Sequence, residues 1–574
     1  MLQPRAGGAP GQPVLEAAPS SGELRLSKLR RLAPFLDARP RLFLVLLCLA
    51  FWLPGFFTLP PTDRDESRFT QATKQMLETG DFVRIMNGDV PRNRKPIGIH
   101  WLQAPFAAAA RATGIAAANP VWPYRVPSLL GGIAAVLASY SLGLSLFANR
   151  RTALAAAGML ASCVILTIEA HIAKTDAALL GATTVAMAVL ARGFMGLPLS
   201  RATCLLFWVA CGAGILIKGP ITPMVVALAA ICGSAALGNW RWLVRLRPAW
   251  GVPVLGAVVA PWFIAIGIAT HGAFFADAVG GDLGRKLAGG EESHGAFPGF
   301  HILLLPLLAF PATLPVLCGL HAAWRRRHAR ATIFLLSWLL PSWLVFEAVP
   351  TKLPHYTLPL YPALMLLAAA WLTEAGRPTL PSWLRRGAPV LAFLPACIIG
   401  VGGLALAISL HGSVWLGVLV ILAAAPAAWF AARAVSPGRV PAAFAAAALL
   451  YTCVLGVALP HLQALWLAPR IEAALQRDWP GDTPLGTGFV AAGYAEPSLM
   501  FLAGTHMVLL PNGKGAADFL ARSSDDAVLV TGEDVAAFLA EAARRHIQPR
   551  QIDDIDGVNY SRGRNVDLKL FLSR

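Results

Sequence analysis

Apolar runs of about 17–20 residues, each long enough to cross a bilayer, recur from residue 42 to residue 459. A backbone in lipid has no water to bond, so each run is confined to helix. Thirteen spans are predicted, near 42–58, 127–147, 152–169, 177–195, 202–218, 220–238, 251–269, 301–320, 331–348, 355–373, 389–409, 413–432 and 440–459. Composition agrees: 56% of residues are hydrophobic and 14% charged, against roughly a quarter charged in a soluble chain. The chain reads as a polytopic α-helical membrane protein.

Arginine fixes its orientation. With residues 1–41 placed in the cytoplasm, the loops "NRR" (149–151), 192–201, "NWRWLVRLR" (239–247), "WRRRHAR" (324–330), 377–386 and 433–439 fall inside. Each holds at least two arginines, as the positive-inside rule requires. The segment 1–41 carries no cleavable signal pattern and resembles a cytoplasmic tail. The net charge of +17 therefore belongs to topology, and no basic stripe interleaved with aromatics suggests nucleic acid. The eight cysteines, at 48, 163, 204, 211, 232, 318, 397 and 453, lie inside apolar runs without metal-like pairing and read as packing residues.

The first external loop, 59–126, departs from the charge rule. Residues 63–95 hold six acids and seven bases. Within the loop, 64–79 predicts an amphipathic helix with Phe69, Ala72, Met76 and Leu77 on one side, started by Pro61-Thr62-Asp63 and ended by Gly80. Residues 98–118 are apolar but carry His100, Gln103 and Arg111, and are expected to lie in the outer interface.

Asp65 and Glu66 fall in the first turn of the 64–79 helix, where acids also simply compensate the helix dipole. Topology puts a second polar piece, "EAHIAKTDAALL" (169–180), on the same face, with Asp176 either a helix cap or a site residue. Basic groups join them there: Arg68, Lys95, Lys218, Arg285, Lys352, His355 and Tyr356. A single lysine at an interface is commonly a snorkelling side chain. Several cationic elements on one face point instead to an anionic lipid phosphate, which lysine meets as a point charge and arginine as a fork.

The stretches "DESRFTQATKQMLETGDFV", "KPIGIHWLQA", "RVPSLLGG", "AKTDAALL", "LIKGP", "GEESHGAFPGF" and "TKLPHYTLPLYPALMLL" resemble, in order, a bacterial GT-C glycosyltransferase related to the 4-amino-4-deoxy-L-arabinose lipid A transferases and, more distantly, the protein O-mannosyltransferases. The resemblance implies a multi-pass inner-membrane enzyme, N-terminus cytoplasmic and C-terminus periplasmic. It would move a sugar from an undecaprenyl-phosphate donor to a lipid or protein acceptor on the periplasmic face. It implies Asp65 as base with Glu66 beside it, Arg68 as a supporting charge, Lys95 on the lipid phosphate and Asp176 as a second acidic contact. Arg285, Lys352 and Tyr356 would complete the donor pocket. Where the family often shows Glu-Lys-Pro this chain has Arg94-Lys95-Pro96. An acidic metal ligand is thus missing, so no metal or other cofactor is expected. The partners implied are the donor, the acceptor and membrane lipids, with the chain acting as a monomer.

After Pro460 the pattern changes. Helices near 469–478, 495–503, 513–522 and 533–545 alternate with strands near 485–490, 506–510, 527–531, 549–554 and 566–573, predicting a small external α/β domain (461–574) that covers the site or contacts the acceptor. "NGKG" (512–515) is too short for a phosphate loop and reads as a turn. A transporter is the rival from another class. Transporters place ionisable groups near the bilayer midplane and repeat their halves, and neither feature is visible in this sequence.

Overall fold

The computed structural model describes residues 38–114, 119–284, 295–375, 377, 379–479, 488–521 and 526–573. Arg285, one of the residues expected in the donor pocket, lies outside them.

Among the described residues nine helices are long and apolar enough to cross a membrane, from Trp122–Phe147 to Val440–His461. Pro40–Trp52 and Ile221–Leu237 are apolar but shorter. Two predicted spans are broken. The one at 152–169 is Arg150–Ser162 followed by Val164–Ala170, bent by 60°. The one at 301–320 is Phe300–Leu308 followed by Thr313–Arg325, with Pro311 in the gap, where a proline cannot supply a helical N–H. A broken helix in lipid leaves backbone groups without partners, and here the two breaks satisfy each other. Val164 N–H donates to Phe310 O at 3.0 Å. The buried Tyr451 hydroxyl reaches both Ser162 O and Phe310 O at 3.1 Å.

Close helix contacts use glycine where no side chain fits. A Cβ on Gly131 would lie 2.5 Å from Ala178 Cα, so Trp122–Phe147 and Thr175–Phe194 meet backbone to backbone. A Cβ on Gly98 would lie 2.7 Å from the Leu216 carbonyl, which seats the short Gly98–Ala112 helix on Arg201–Lys218. That contact brings the Lys95 loop beside Lys218. All eight cysteines are free, and six are buried.

The external amphipathic helix runs from Asp65 to Thr79 and ends on Gly80 at φ +71°, with Phe69, Ala72 and Met76 buried and Leu77 only partly so. Neither Thr62 nor Asp63 caps it through a side chain. Instead Glu66 reaches back to the Thr62 N–H at 2.8 Å, one half of a capping box.

The tail domain is a five-stranded sheet in the order Val508–Leu510, Phe489–Ala492, Ala527–Thr531, Arg564–Leu572, Arg550–Asn559. The first three are parallel and the last two run antiparallel. Residues alternate between two apolar faces, as strand geometry demands: Phe489, Ala491 and Leu529 pack to one side, Val490, Val528 and Val530 to the other. Asn512 caps the helix Gly513–Leu520 through Gly515 N at 3.3 Å, so "NGKG" opens a helix rather than making a turn. The domain docks on the external helix: Lys74 Nζ donates to Phe501 O (2.9 Å), and Thr505 Oγ1 bridges Gln71 (3.0 Å) and Glu78 (2.6 Å).

Candidate active site

Glu66 holds the outer corner together. Its Oε1 accepts from Arg125 Nε and Ala173 N, both at 2.8 Å. Its Oε2 accepts from Arg125 Nη2 at 3.0 Å, Thr62 N at 2.8 Å and Thr62 Oγ1 at 2.9 Å. Arg125 spends its remaining donors on the carbonyls of Phe56, Leu59 and Pro60, at 3.1, 2.8 and 3.0 Å. Burial works to raise the Glu66 carboxyl, but Arg125 and the surrounding donors outweigh it and hold the group below the ordinary range. Both side chains are sealed from water, at 1% and 0% exposure. The catalytic role expected for Glu66 is therefore corrected: both its oxygens are occupied, and it ties the first span, the Trp122–Phe147 span and the 171–174 loop to one point.

Asp65 is different. Its carboxylate is 39% exposed, 3.8 Å from Arg92. Arg92 and Lys95 both lie over the Phe69 ring, at 4.3 and 5.1 Å from its centroid. Partial burial acts to raise Asp65, yet Lys95 and Arg92 outweigh it and hold the carboxyl well below the usual range. Burial lowers the Lys95 ammonium to about 8, with Asp65 resisting the drop. Arg64, between Asp63 and Asp65, sits at φ +63°, a conformation costing an L-residue on the order of 1–3 kcal/mol.

A second cluster forms where the broken span meets the next one. Lys218 Nζ lies 2.5 Å from Asp176 Oδ1. Lys174 lies 2.9 Å from Glu169 and 3.8 Å from Asp176. His355 stands between them, its Nε2 3.8 Å from Asp176 and its Nδ1 3.7 Å from Glu169 and 3.3 Å from Lys174 Nζ. Tyr356 presents its ring to Lys218 at 5.3 Å.

The two clusters line two adjoining cavities. A polar cleft of about 520 Å³ opens between the external helix, the 87–95 loop and residues 351–356. Six lysines and arginines and three carboxylates line it: Arg64, Arg68, Arg92, Arg94, Lys95 and Lys174 against Asp63, Asp65 and Glu66. Beside it is a chamber of about 370 Å³ with an apolar wall that includes Leu179, Met224, Phe263, Phe274, Phe275 and Phe346, and with Asp176 and Lys218 at its polar end. Arg94, Lys95, His355 and Tyr356 line both.

Of the residues read from sequence, Asp65, Arg68, Lys95, Asp176, Lys218, His355 and Tyr356 thus come together. Lys352 does not. It is buried, its Nζ donates to Ala296 O at 3.1 Å and Val349 O at 2.9 Å, and it lines neither cavity. A snorkelling reading fails too: the ammonium closes a turn. Sequence reasoning passed over Arg125, Arg92 and Asp63. Arg125 had a signal, being a cation two residues before a predicted span, and Asp63 and Arg92 sat inside the charge-rich loop without distinction. The only grouping of three potential metal ligands among the described residues is Asp554, Asp556 and Asp567 on the tail sheet, where Lys569 lies 2.5 Å from Asp554 and 3.5 Å from Asp567.

Comparison with known proteins places this geometry. Residues 42–273 match the family described as dolichyl-phosphate-mannose-protein mannosyltransferase. The undecaprenyl phosphate-alpha-4-amino-4-deoxy-L-arabinose arabinosyl transferase of Pseudomonas paraeruginosa is 28% identical over 342 residues, 57% of this chain and 59% of that protein. The enzyme of the same description from Yersinia enterocolitica is 27% identical over 392 residues, 65% of this chain and 66% of that one. The matched region therefore spans about three fifths of the first relative's length. The crystal structure of ArnT from Cupriavidus metallidurans bound to undecaprenyl phosphate superposes with a TM-score of 0.71 over 93% of this chain and 98% of that one, at 18% identity. Its apo state gives 0.70, over 93% and 97%.

Proposed function

We propose that this chain, a multi-pass membrane protein with the GT-C fold of ArnT, is a glycosyltransferase that moves a sugar from an undecaprenyl-phosphate-linked donor to an envelope acceptor. It would act as a monomer at the periplasmic face of a bacterial inner membrane, N-terminus in the cytoplasm and tail domain outside. The observation that carries the reading is the shared wall: one cationic cleft and one apolar chamber meet at Arg94, Lys95, His355 and Tyr356. An amphipathic ligand with an isoprenoid chain on one side and a phosphate-linked sugar on the other fits such a pair. The phosphate would sit at Lys95 and Arg94, the chain against Phe263, Phe274 and Phe346.

The chemistry follows from charge. As the bond from the anomeric carbon to the phosphate oxygen breaks, negative charge grows on the lipid phosphate, and fixed cations aimed at it lower the barrier. The acceptor's O–H loses its proton to a carboxylate as its oxygen attacks from the opposite face, inverting the anomeric centre in one displacement. Asp65, locked among cations, would keep Arg92 and Lys95 aligned in this account, and Asp176 would do the same for Lys218. No step calls for a divalent ion: Arg94 and Lys95 bring positive charge to the phosphate, and Arg94 stands where an acidic metal ligand would be needed.

The acceptor is the finer question. Lipid A is the reading favoured by relatives whose matched region runs past residue 273, the end of the protein-mannosyltransferase match. A protein acceptor would show as altered envelope glycoproteins, and unaltered lipid A, in mass spectra of a deletion strain.

The test is donor binding by the purified chain across pH, with and without chelator. Lys95 must be an ammonium to hold phosphate, and with burial setting it at about 8 the affinity is expected to fall as pH rises through that value. Undecaprenol, which has no phosphate, is expected to bind weakly at every pH, and chelator to change nothing. Equal binding of phosphate and alcohol would overturn the reading.

A further inference from the structure

We infer that Asp63, two residues before the carboxylate the motif singles out, is the proton acceptor of the transfer, and that Tyr560 of the tail domain positions it; the inference rests on the transferase reading above. Asp63 lines the polar cleft. Its backbone N–H donates to Tyr560 Oη at 2.6 Å and its Oδ1 accepts from Ser498 N at 3.3 Å. Among the described residues no lysine or arginine forms an ion pair with it, whereas Asp65 lies 3.8 Å from Arg92 and faces Lys95. A carboxylate held by that many cations is a poor base, and one bordered by neutral donors is a better one.

The tail domain builds the setting. Its hairpin, Arg550–Asn559 and Arg564–Leu572, turns at Tyr560–Gly563 with Gly563 at φ +67°. Asn559 fixes the turn: its Oδ1 accepts from Ser561 Oγ at 2.8 Å and Arg562 N at 3.1 Å, and its Nδ2 donates to Glu496 at 2.8 Å. The turn then grips both residues next to Asp65: Tyr560 takes Asp63, and the Ser561 carbonyl takes the Arg64 guanidinium. Arg64 is the residue at positive φ, so the hairpin holds the backbone in the bend that presents Asp63.

The charged and titratable groups around Asp63 are Glu496, Tyr494 and Tyr560 from the tail and Arg64 beside it, with Arg562 3.4 Å from Glu496. Burial pushes the Asp63 carboxyl up, the Ser498 N–H pulls it down and Glu496 adds to the rise, leaving it at about 6. Asp63 is then ionised at neutral pH yet basic enough to accept a proton. In the step, the acceptor's O–H proton passes to an Asp63 oxygen and its electron pair forms the new bond to the anomeric carbon. The bond to the lipid phosphate breaks, and that electron pair leaves with the phosphate.

The experiment measures kcat and KM for transfer from undecaprenyl phosphate-4-amino-4-deoxy-L-arabinose to lipid A by the full chain, across about pH 5 to 9, alongside melting temperatures. For the unaltered protein, kcat/KM should fall as pH drops through about 6. Asp63→Asn should lose about 10²–10⁴ in kcat and the acid limb with it, while the donor KM stays within a few-fold. Tyr560→Phe keeps the ring and removes the hydroxyl, so kcat should drop about tenfold with the donor KM and melting temperature unmoved. Asp63→Glu, which restores a carboxyl, should keep an acid limb, and decides the matter together with Tyr560→Phe if Asp63→Asn fails to fold. Asp63→Asn with more than about a tenth of the rate, or with the acid limb intact, would overturn the inference and leave the transferase reading standing. An unaltered chain that transfers from no polyprenyl-phosphate sugar would overturn both.

Discussion

Arg125→Met is expected to yield little folded protein, because it strands the Glu66 carboxylate in a site with no water. Arg125 makes two charge-assisted bonds to Glu66 and caps the carbonyls of Phe56, Leu59 and Pro60. Removing one partner of a buried pair costs roughly 3–5 kcal/mol, a large share of the stability of most folds. Glu66 is depressed in the folded state, so its contribution is present above the ordinary carboxyl pKa and is lost as pH falls toward its folded value. Thermal unfolding in detergent should show Arg125→Met far below the unaltered chain at neutral pH. The double variant Arg125→Met/Glu66→Met, with no orphaned charge, should recover part of the loss. A single variant as stable as the unaltered protein would mean that Glu66 has solvent access and is available for chemistry after all.

Lys95→Ala should produce the largest loss of activity without loss of fold. Lys95 lines both cavities and lies over Phe69, among the described basic groups at the junction of chain and headgroup. An ammonium that meets charge only as the phosphate departs contributes about 2.7–4 kcal/mol, or roughly 10²–10³ in kcat/KM. The same change relieves a buried charge, so the melting temperature should hold or rise. Steady-state kinetics beside a melting curve checks both. Lys95→Arg should recover only part of the rate, because a planar fork does not replace a compact charge in a fixed space. A Lys95→Ala variant with normal kcat/KM would move the phosphate elsewhere, with Lys218 the next group to test.

Much of this architecture was legible in the sequence, for a physical reason. Lipid imposes one backbone solution, so apolar runs and arginine loops located the spans, and alternation located the strands of the tail. Broken helices were not legible at 152–169, because "MLASCVIL" carries no proline or glycine and the break is imposed by the partner segment at Phe310. Among charges, spacing told which residues share a face but not how their bonds are distributed. Glu66 and Asp65 are neighbours of similar chemistry, and only the position of Arg125 separates a structural tie from a cleft carboxylate. Lys352 and Lys95 both precede apolar stretches; backbone carbonyls within reach of one ammonium, and an aromatic ring and an acid within reach of the other, set them apart.

The shared wall between cleft and chamber is tested most directly by photo-crosslinking the full chain with an undecaprenyl phosphate that carries a diazirine in its proximal isoprene units. Sequencing of the crosslinked peptides should return Met224, Phe263, Phe274 or Phe346 from the apolar chamber, with labelling suppressed by unlabelled undecaprenyl phosphate and reduced in Lys95→Ala. Labelling confined to the lipid-facing helices Pro248–Ala269 and Ser382–Ser409 away from that chamber, and indifferent to Lys95, would contradict the account.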